Sequence, residues 1–356
     1  MTTDSPALLD PSRFEGEVAG RRVGLFLLRS PGGLRAAVSN HGARLLQLVV
    51  PGRGGRWHDV VLGYDHLQQM LEGMASMGAV IGRYANRIGH ARFTLDGVTT
   101  ALPANDGPHC LHGGPAGCRF QPFELLAHEA DRLALAWTFR EADDGFPGEV
   151  RLEVTYTLRD PGVLAIDWRA TAAGRPTVVN VTAHPFFNLE GQASETIHGQ
   201  RLVVDAAHYL PVDGKRIPTG EVAPVAGTPF DLRAGRSFSE ALAALPDHAF
   251  DHCYVAAGAR EGVLRRLARA EAPGSGVAME AWSDAPGLQV FSSSGFDGSL
   301  PRHAGKGGRT YRREAAFCLE PQGLPDAPNH PHFPDTSLRP GQSRTGRIEY
   351  RFSALG

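Results

Sequence analysis

Three segments of this chain alternate apolar and polar residues with a period of two, and that alternation limits the fold more than any other feature. Leu152, Val154, Tyr156 and Leu158 interleave with Arg151, Glu153, Thr155 and Thr157. Leu133, Leu135, Trp137 and Phe139 form a second set, and Leu164, Ile166 and Trp168 a third. Side chains of a strand point alternately to its two faces, so each set predicts a half-buried strand. Turn signals separate the segments, supplied by 43 Gly and 26 Pro. Asp96–Gly97 lies between FTL and VTT, which predicts a tight hairpin; Asp213–Gly214 predicts another, and Gly145–Gly148 turns the chain into the strand from Glu149. Helical patterning is confined to Asp65–Glu72 and Ser239–Leu245. Ala256–Ser275 is the least regular stretch and reads as surface loop and edge strand.

Many strands with few short helices predict an all-β fold, a large β-sandwich. No repeat, low-complexity block or linker divides the chain, so a single domain over residues 1–356 is expected, with 1–15 a loosely ordered N-terminal segment. Charged residues make up 21% and the formal net charge is −2, which gives no electrostatic footprint for nucleic acid or an anionic membrane. The expected partner is a small, uncharged molecule, and the expected assembly a monomer or weak homodimer. Cys110, Cys118, Cys253 and Cys318 show no CxxC spacing, so neither a disulfide framework nor a zinc knuckle is expected. The first residues are acidic where a secretory signal would be basic, and no apolar run is long enough to span a bilayer. A cytoplasmic protein is expected.

The chain has no GxSxG elbow, P-loop, GxGxxG after a strand or HExxH. Its polar residues cluster instead in five islands: GRYANRIG (82–89), GPHCLHGG (107–114), NVTAHPFFNLEG (180–191), FDHCY (250–254) and FCLEPQGLPDAPNHPHFP (317–334). Arg87, beside Asn86, suits a sheet-rim ion pair or a ligand contact. His112 precedes two glycines that admit either a ligand or another backbone. His184 sits among apolar and aromatic residues, as a satisfied core histidine or as a proton donor on a hydrophobic wall. Asp251 fits a turn cap equally well. Glu320 is the most pointed case. Alternation in AAFCLE buries or half-buries it, and desolvation raises the pKa of a buried carboxyl into the range of a general base near neutral pH, unless an Arg neutralises it. His330 and His332 have the i, i+2 spacing of strand metal ligands, but their flanking prolines predict a loop and no third ligand is apparent. No metal is expected.

Together and in this order, the islands resemble signatures of the aldose 1-epimerase family: GRYANRI, LHGG, HxxFNLxG, FDH, then CLEPQxxPDAxNxPxFP and LRPGQ, from about Asn40 to Pro340. The resemblance implies a supersandwich fold with a sugar groove across one sheet, and interconversion of the α and β anomers of a free aldose without cofactor. It implies Glu320 as general base on the anomeric hydroxyl and His184 as general acid on the ring oxygen. Asn86, Arg87, His112, Asp251 and Gln289 would bind the sugar. The chain departs from the family pattern at Ala183, Phe186, Cys253, Ser292–Gly295 and Cys118, which implies a changed pocket lining and leaves the identity of the aldose open. Three alternatives stand beside this reading: a non-catalytic carbohydrate-binding or regulatory sandwich, a glycoside hydrolase or lyase pairing Asp251 with Glu320, and an epimerase of a different or phosphorylated sugar.

Overall fold

A computed structural model describes residues 5–356. Its largest element is a nine-stranded antiparallel sheet in the order Glu124–His128, Arg132–Phe139, Glu149–Arg159, Val163–Ala173, Ser343–Ala354, Val277–Ser283, Arg265–Ala272, Arg201–Val204, Arg236–Ser237. A five-stranded sheet follows the order Ala223–Pro224, His208–Tyr209, Asp251–Val255, Gly287–Phe291, Cys318–Gln322. A four-stranded sheet holds Leu25–Arg29, Arg35–Ser39, Arg44–Pro51 and Trp57–Asp59. The fold is an all-β sandwich, and three short helices (Leu67–Glu72, Glu141–Asp144, Phe238–Ala244) complete the α content of the described residues.

Period-two patterning explains why the layers stack. In Glu149–Arg159, Leu152, Val154, Tyr156 and Leu158 are buried while Arg151, Glu153, Thr155 and Thr157 are half-exposed. Burial of each such apolar side chain contributes about 1.5–3 kcal/mol. These residues share one core with Leu45, Leu48 and Val50 of the four-stranded sheet and with Leu288, Val290 and Leu319 of the five-stranded one. Tyr350 closes the contact between layers, its hydroxyl donating to the Leu319 carbonyl at 2.7 Å.

The Asp96–Gly97 hairpin forms as read. Both residues have positive φ (51° and 78°) between Arg92–Leu95 and Val98–Ala101. The reversal at Asp213–Gly214 is wider than a two-residue hairpin. Val212 bridges Pro218, the Asp213 carboxylate accepts from the Lys215 and Ile217 amides, and the left-handed residue is Arg216.

Two expectations need correction. Arg265–Ala272 is an interior strand of the nine-stranded sheet, not a surface edge. Its inward residues include the small Ala268, Ala270 and Ala272, all buried, and short side chains give a weak strand signal. The N-terminal segment is also better anchored than expected. Residues 1–4 lie outside the described residues, but Phe14 is fully buried, and Gln47 bonds the Leu9 amide and the Ala7 carbonyl at 2.8 and 2.9 Å.

The helix Phe238–Ala244 starts with a reciprocal cap: Ser237 Oγ accepts from the Glu240 amide at 3.2 Å, and the Glu240 carboxylate accepts from the Ser237 amide at 3.1 Å. Ser237→Ala is expected to lower stability by about 1 kcal/mol, read as a shift in the urea midpoint at constant slope.

Candidate active site

Three adjacent strands of the five-stranded sheet build one wall of the site. Cys253 pairs with Gln289 and Gln289 with Glu320; Asp251 pairs with Phe291 and Phe291 with Cys318. Alternation therefore gives these six residues one face, while Leu288, Val290 and Leu319 point into the main core. Gln289 Nε2 donates to Asp251 Oδ1 at 2.7 Å.

His184 enters from another segment. Its backbone is clamped on both sides: its amide donates to the Ala79 carbonyl and its carbonyl accepts from the Gly78 amide, each at 2.9 Å. Phe186 stacks on the imidazole at 4.9 Å between centroids, and Phe291 meets it edge-on at 6.2 Å. His184 Nε2 lies 3.6 Å from Glu320 Oε1, and the two residues are only 5% and 1% exposed. Glu320 Oε2 and His184 Nδ1 are buried without a hydrogen-bond partner. A buried polar atom left unpaired is costly, so these two atoms are free to take a hydrogen bond from a ligand or an ordered water.

His112 packs edge-on to His184 at 5.4 Å. The Asn86 amide donates to His112 Nδ1 at 3.2 Å, which assigns the proton of a neutral ring to Nε2. Asn86 and His112 both adopt left-handed backbone conformations, and the His112 amide donates to the Asn86 carbonyl at 2.9 Å. Gly113 serves the backbone and not a ligand, because a Cβ there would lie 2.4 Å from the Gly82 carbonyl oxygen. Asn86 Oδ1 accepts from the Arg87 amide. The Arg87 guanidinium bonds Asp106 at 2.7 Å and lies 3.8 Å from Asp251.

Burial drives both members of the central pair toward their uncharged forms. It lowers His184 to about 4, against the smaller upward pull of Asp251. It raises Glu320 well above the ordinary carboxylate range, helped by the negative charge of Asp251 and opposed by Arg87. His112 is likewise pushed well down by burial, then by His184, Arg119 and Arg87. Burial thus favours the uncharged form of the His184–Glu320 pair, which carries one transferable proton. Whichever partner holds that proton, one can donate while the other accepts.

All seven residues singled out in the sequence lie in this region, linked by the contacts above. Two neighbours were missed. Arg216 reaches over from the 213–217 loop and bonds Asp251 Oδ2 at 2.6 Å; only its place in a predicted turn could have drawn notice. Cys318 shares a face with Glu320, as its i−2 spacing could have shown. The departures from the family pattern are unequal in effect. Phe186 flanks His184, but Ala183 packs in the main core and Cys253 in an apolar cluster with Leu210, Leu324 and Phe333. Ser292 and Ser293 bond backbone groups of Phe250 and Ala316. Cys118 packs in the main core.

His330 and His332 form no metal group. His330 lies 3.4 Å from Asp326, and His332 bonds the Gly220 carbonyl. All four cysteines are free and buried. A separate cleft of about 510 Å³ opens between Trp168, Val255 and Phe333, and neither His184 nor Glu320 lines it. No helix among the described residues is long and apolar enough to cross a membrane.

A glycosidase arrangement needs two carboxyls flanking a scissile bond. Here an imidazole faces Glu320, while Asp251 is held by Gln289 and Arg216. Fold and site therefore define a β-sandwich with a buried imidazole–carboxyl pair, an arrangement capable of acid/base chemistry. The family model described as Aldose 1-epimerase matches residues 24–351. Bovine galactose mutarotase is 39% identical over 324 residues, which are 90% of this chain and 91% of the bovine one. Aldose 1-epimerase of Escherichia coli K12 is 33% identical over 360 residues, 99% of this chain and 100% of that protein. Among solved structures, an aldose epimerase homologue from C. elegans superposes with a TM-score of 0.87 at 31% identity, covering 94% of this chain and all of that one. The chain belongs to the aldose 1-epimerase family, whose members act on sugars, and it is an enzyme of the isomerase class.

Proposed function

We propose that this chain interconverts the α and β anomers of a free aldose, galactose or glucose, using His184 and Glu320 as its acid/base pair and no cofactor. The 3.6 Å contact between the two buried side chains is the observation that carries this reading. The galactose mutarotase names of its mammalian relatives support galactose as the first sugar to test.

The chemistry follows from the hemiacetal. With the proton of the pair on His184 and Glu320 a carboxylate, Glu320 takes the proton of the anomeric hydroxyl O1, the C1–O5 bond breaks, and its electron pair stays on O5, which receives a proton from His184. C1 and O1 are then a carbonyl. Rotation about C1–C2 presents its other face, O5 adds back, and each proton returns along its path. Nothing is consumed. Both groups must donate and accept, which suits a pair sharing one proton across a short gap. Arg87, His112, Asp251 and Gln289 hold the sugar hydroxyls, with Asn86 setting the His112 ring. The enzyme acts as one domain, monomeric or weakly dimeric, in the cytoplasm.

Polarimetry of freshly dissolved α-galactose and α-glucose tests this directly. Enzyme should shorten the approach to the equilibrium rotation without changing its end point; rates no faster than buffer with every aldose tried would end the proposal. The pH profile is a second test. The singly protonated pair is the working form, so kcat/KM should be level around neutrality. On the acid side it should fall toward about 4, where His184 gains the extra proton, and it should fall on the alkaline side only well above ordinary carboxylate values. Loss of activity between pH 7 and 6 would contradict the assignment.

A further inference from the structure

Glu320 has a second neighbour that anomer exchange does not use. Cys318 stands two residues earlier on the same strand face, and its thiol is free. Among the described residues, His184, Cys318 and Glu320 form the one group of three His, Cys, Asp or Glu side chains whose ligand atoms all lie within 4.8 Å of one another. All three are buried, and Glu320 Oε2 is unpartnered.

We propose that these three side chains form a binding site for a thiophilic divalent cation of the Zn²⁺ type, which shuts the enzyme off reversibly by occupying the proton-transfer pair. One sulfur, one imidazole nitrogen and one carboxylate oxygen are the donor types that Zn²⁺ accepts, at bond lengths of about 2.0–2.3 Å. Two ligands on one tetrahedral ion stand about 3.3–3.8 Å apart at those lengths, a spacing His184 and Glu320 already have. Cys318 closes the third corner by a side-chain adjustment of about an ångström. The fourth corner is left to water or a sugar hydroxyl.

Charge and protons balance. Binding converts the Cys318 thiol to a thiolate and leaves Glu320 as a carboxylate, so the two anions cancel the 2+ charge and two protons leave for solvent. Asp251 beside the pair adds a further attraction for a cation, and Arg87 opposes it. Mg²⁺ and Ca²⁺ prefer all-oxygen shells and are not expected to bind. With its lone pairs on the metal, neither His184 nor Glu320 can move a proton. Inhibition rests on the proposed roles of these two residues; binding does not.

Co²⁺ serves as the spectroscopic probe and Zn²⁺ as the inhibitor. Co²⁺ added to the full chain should give a thiolate-to-metal charge-transfer band and the visible bands of a tetrahedral site, and Zn²⁺ should displace them. Cys318→Ser and Cys318→Ala should lose the charge-transfer band. Zn²⁺ should inhibit anomer exchange, EDTA should restore it, and Mg²⁺ should do nothing. Half-inhibition of the Cys318 variants, each scaled to its own metal-free rate, should need about 10-fold more Zn²⁺ or greater. Absence of the band in the wild type, its persistence in both variants, or unchanged Zn²⁺ sensitivity would overturn the proposal. If the Co²⁺ band forms in a protein that exchanges no sugar, the metal site stands and the anomer-exchange reading fails.

Discussion

Glu320→Gln is expected to lower kcat for anomer exchange by about 10²–10⁴-fold with little change in KM, because positioned proton transfer contributes that much and the amide keeps the shape and most hydrogen-bonding capacity of the acid. His184→Ala should fall in the same range. The pair shares a single proton, so the double variant should be about as slow as the slower single one, as for residues that act as a unit. Stability of Glu320→Gln should hold or improve, since an amide removes the desolvation penalty that raises the Glu320 pKa. Initial-rate polarimetry with a urea melt of each variant checks both statements. Near-normal kcat in either single variant would remove that residue from the chemistry.

The largest stability effect is expected at Arg83, a fully buried arginine four residues before Arg87. Its Nε and Nη2 reach the two oxygens of the buried Asp144 carboxylate at 2.9 and 3.1 Å, and its Nη1 donates to the Pro147 carbonyl at 2.9 Å. This clamp ties the segment carrying Asn86 and Arg87 to the turn that opens the strand Glu149–Arg159. Arg83→Met leaves a carboxylate buried and unpaired, so a loss of about 3–5 kcal/mol is expected. Asp144→Leu should cost a similar amount, and the double variant less than the sum of the two, because no charge is then stranded. Urea midpoints of the three proteins measure the coupling. Additive losses would mean that the ion pair contributes nothing beyond its separate residues.

What the sequence made legible was what local rules control. Leu152 to Leu158 alternate because one sheet face is buried, and Asp96–Gly97 adopts the positive φ values that its residue types favour. Glu320 stood out because a carboxyl in an apolar run is expensive to bury without a purpose. Other features depend on partners distant in the chain. Ala268–Ala272 alternates alanine with the charged Arg269 and Glu271, a pattern weak in propensity, and only its neighbours in the sheet make Arg265–Ala272 an interior strand. Arg83 reads as a surface charge until Asp144 is placed against it. Arg216 reaches Asp251 through the path of a loop, and Cys318 gains meaning only when His184 arrives from a segment more than 130 residues earlier. Ala183 and Cys253 looked like changes to the pocket, yet Ala183 packs in the main core, and Cys253, though on the site face of its strand, packs against Leu210, Leu324 and Phe333.

Magnetisation exchange between the α and β anomeric protons of galactose, followed by NMR in deuterated buffer at neutral pH, probes the shared-proton pair most directly. The wild type should exchange the two signals far faster than buffer, with no deuterium entering any C–H position and with the acceleration cut by about 10²–10⁴-fold in Glu320→Gln. Exchange no faster than in buffer, or deuterium appearing at carbon, would contradict a ring opening driven by one imidazole and one carboxyl.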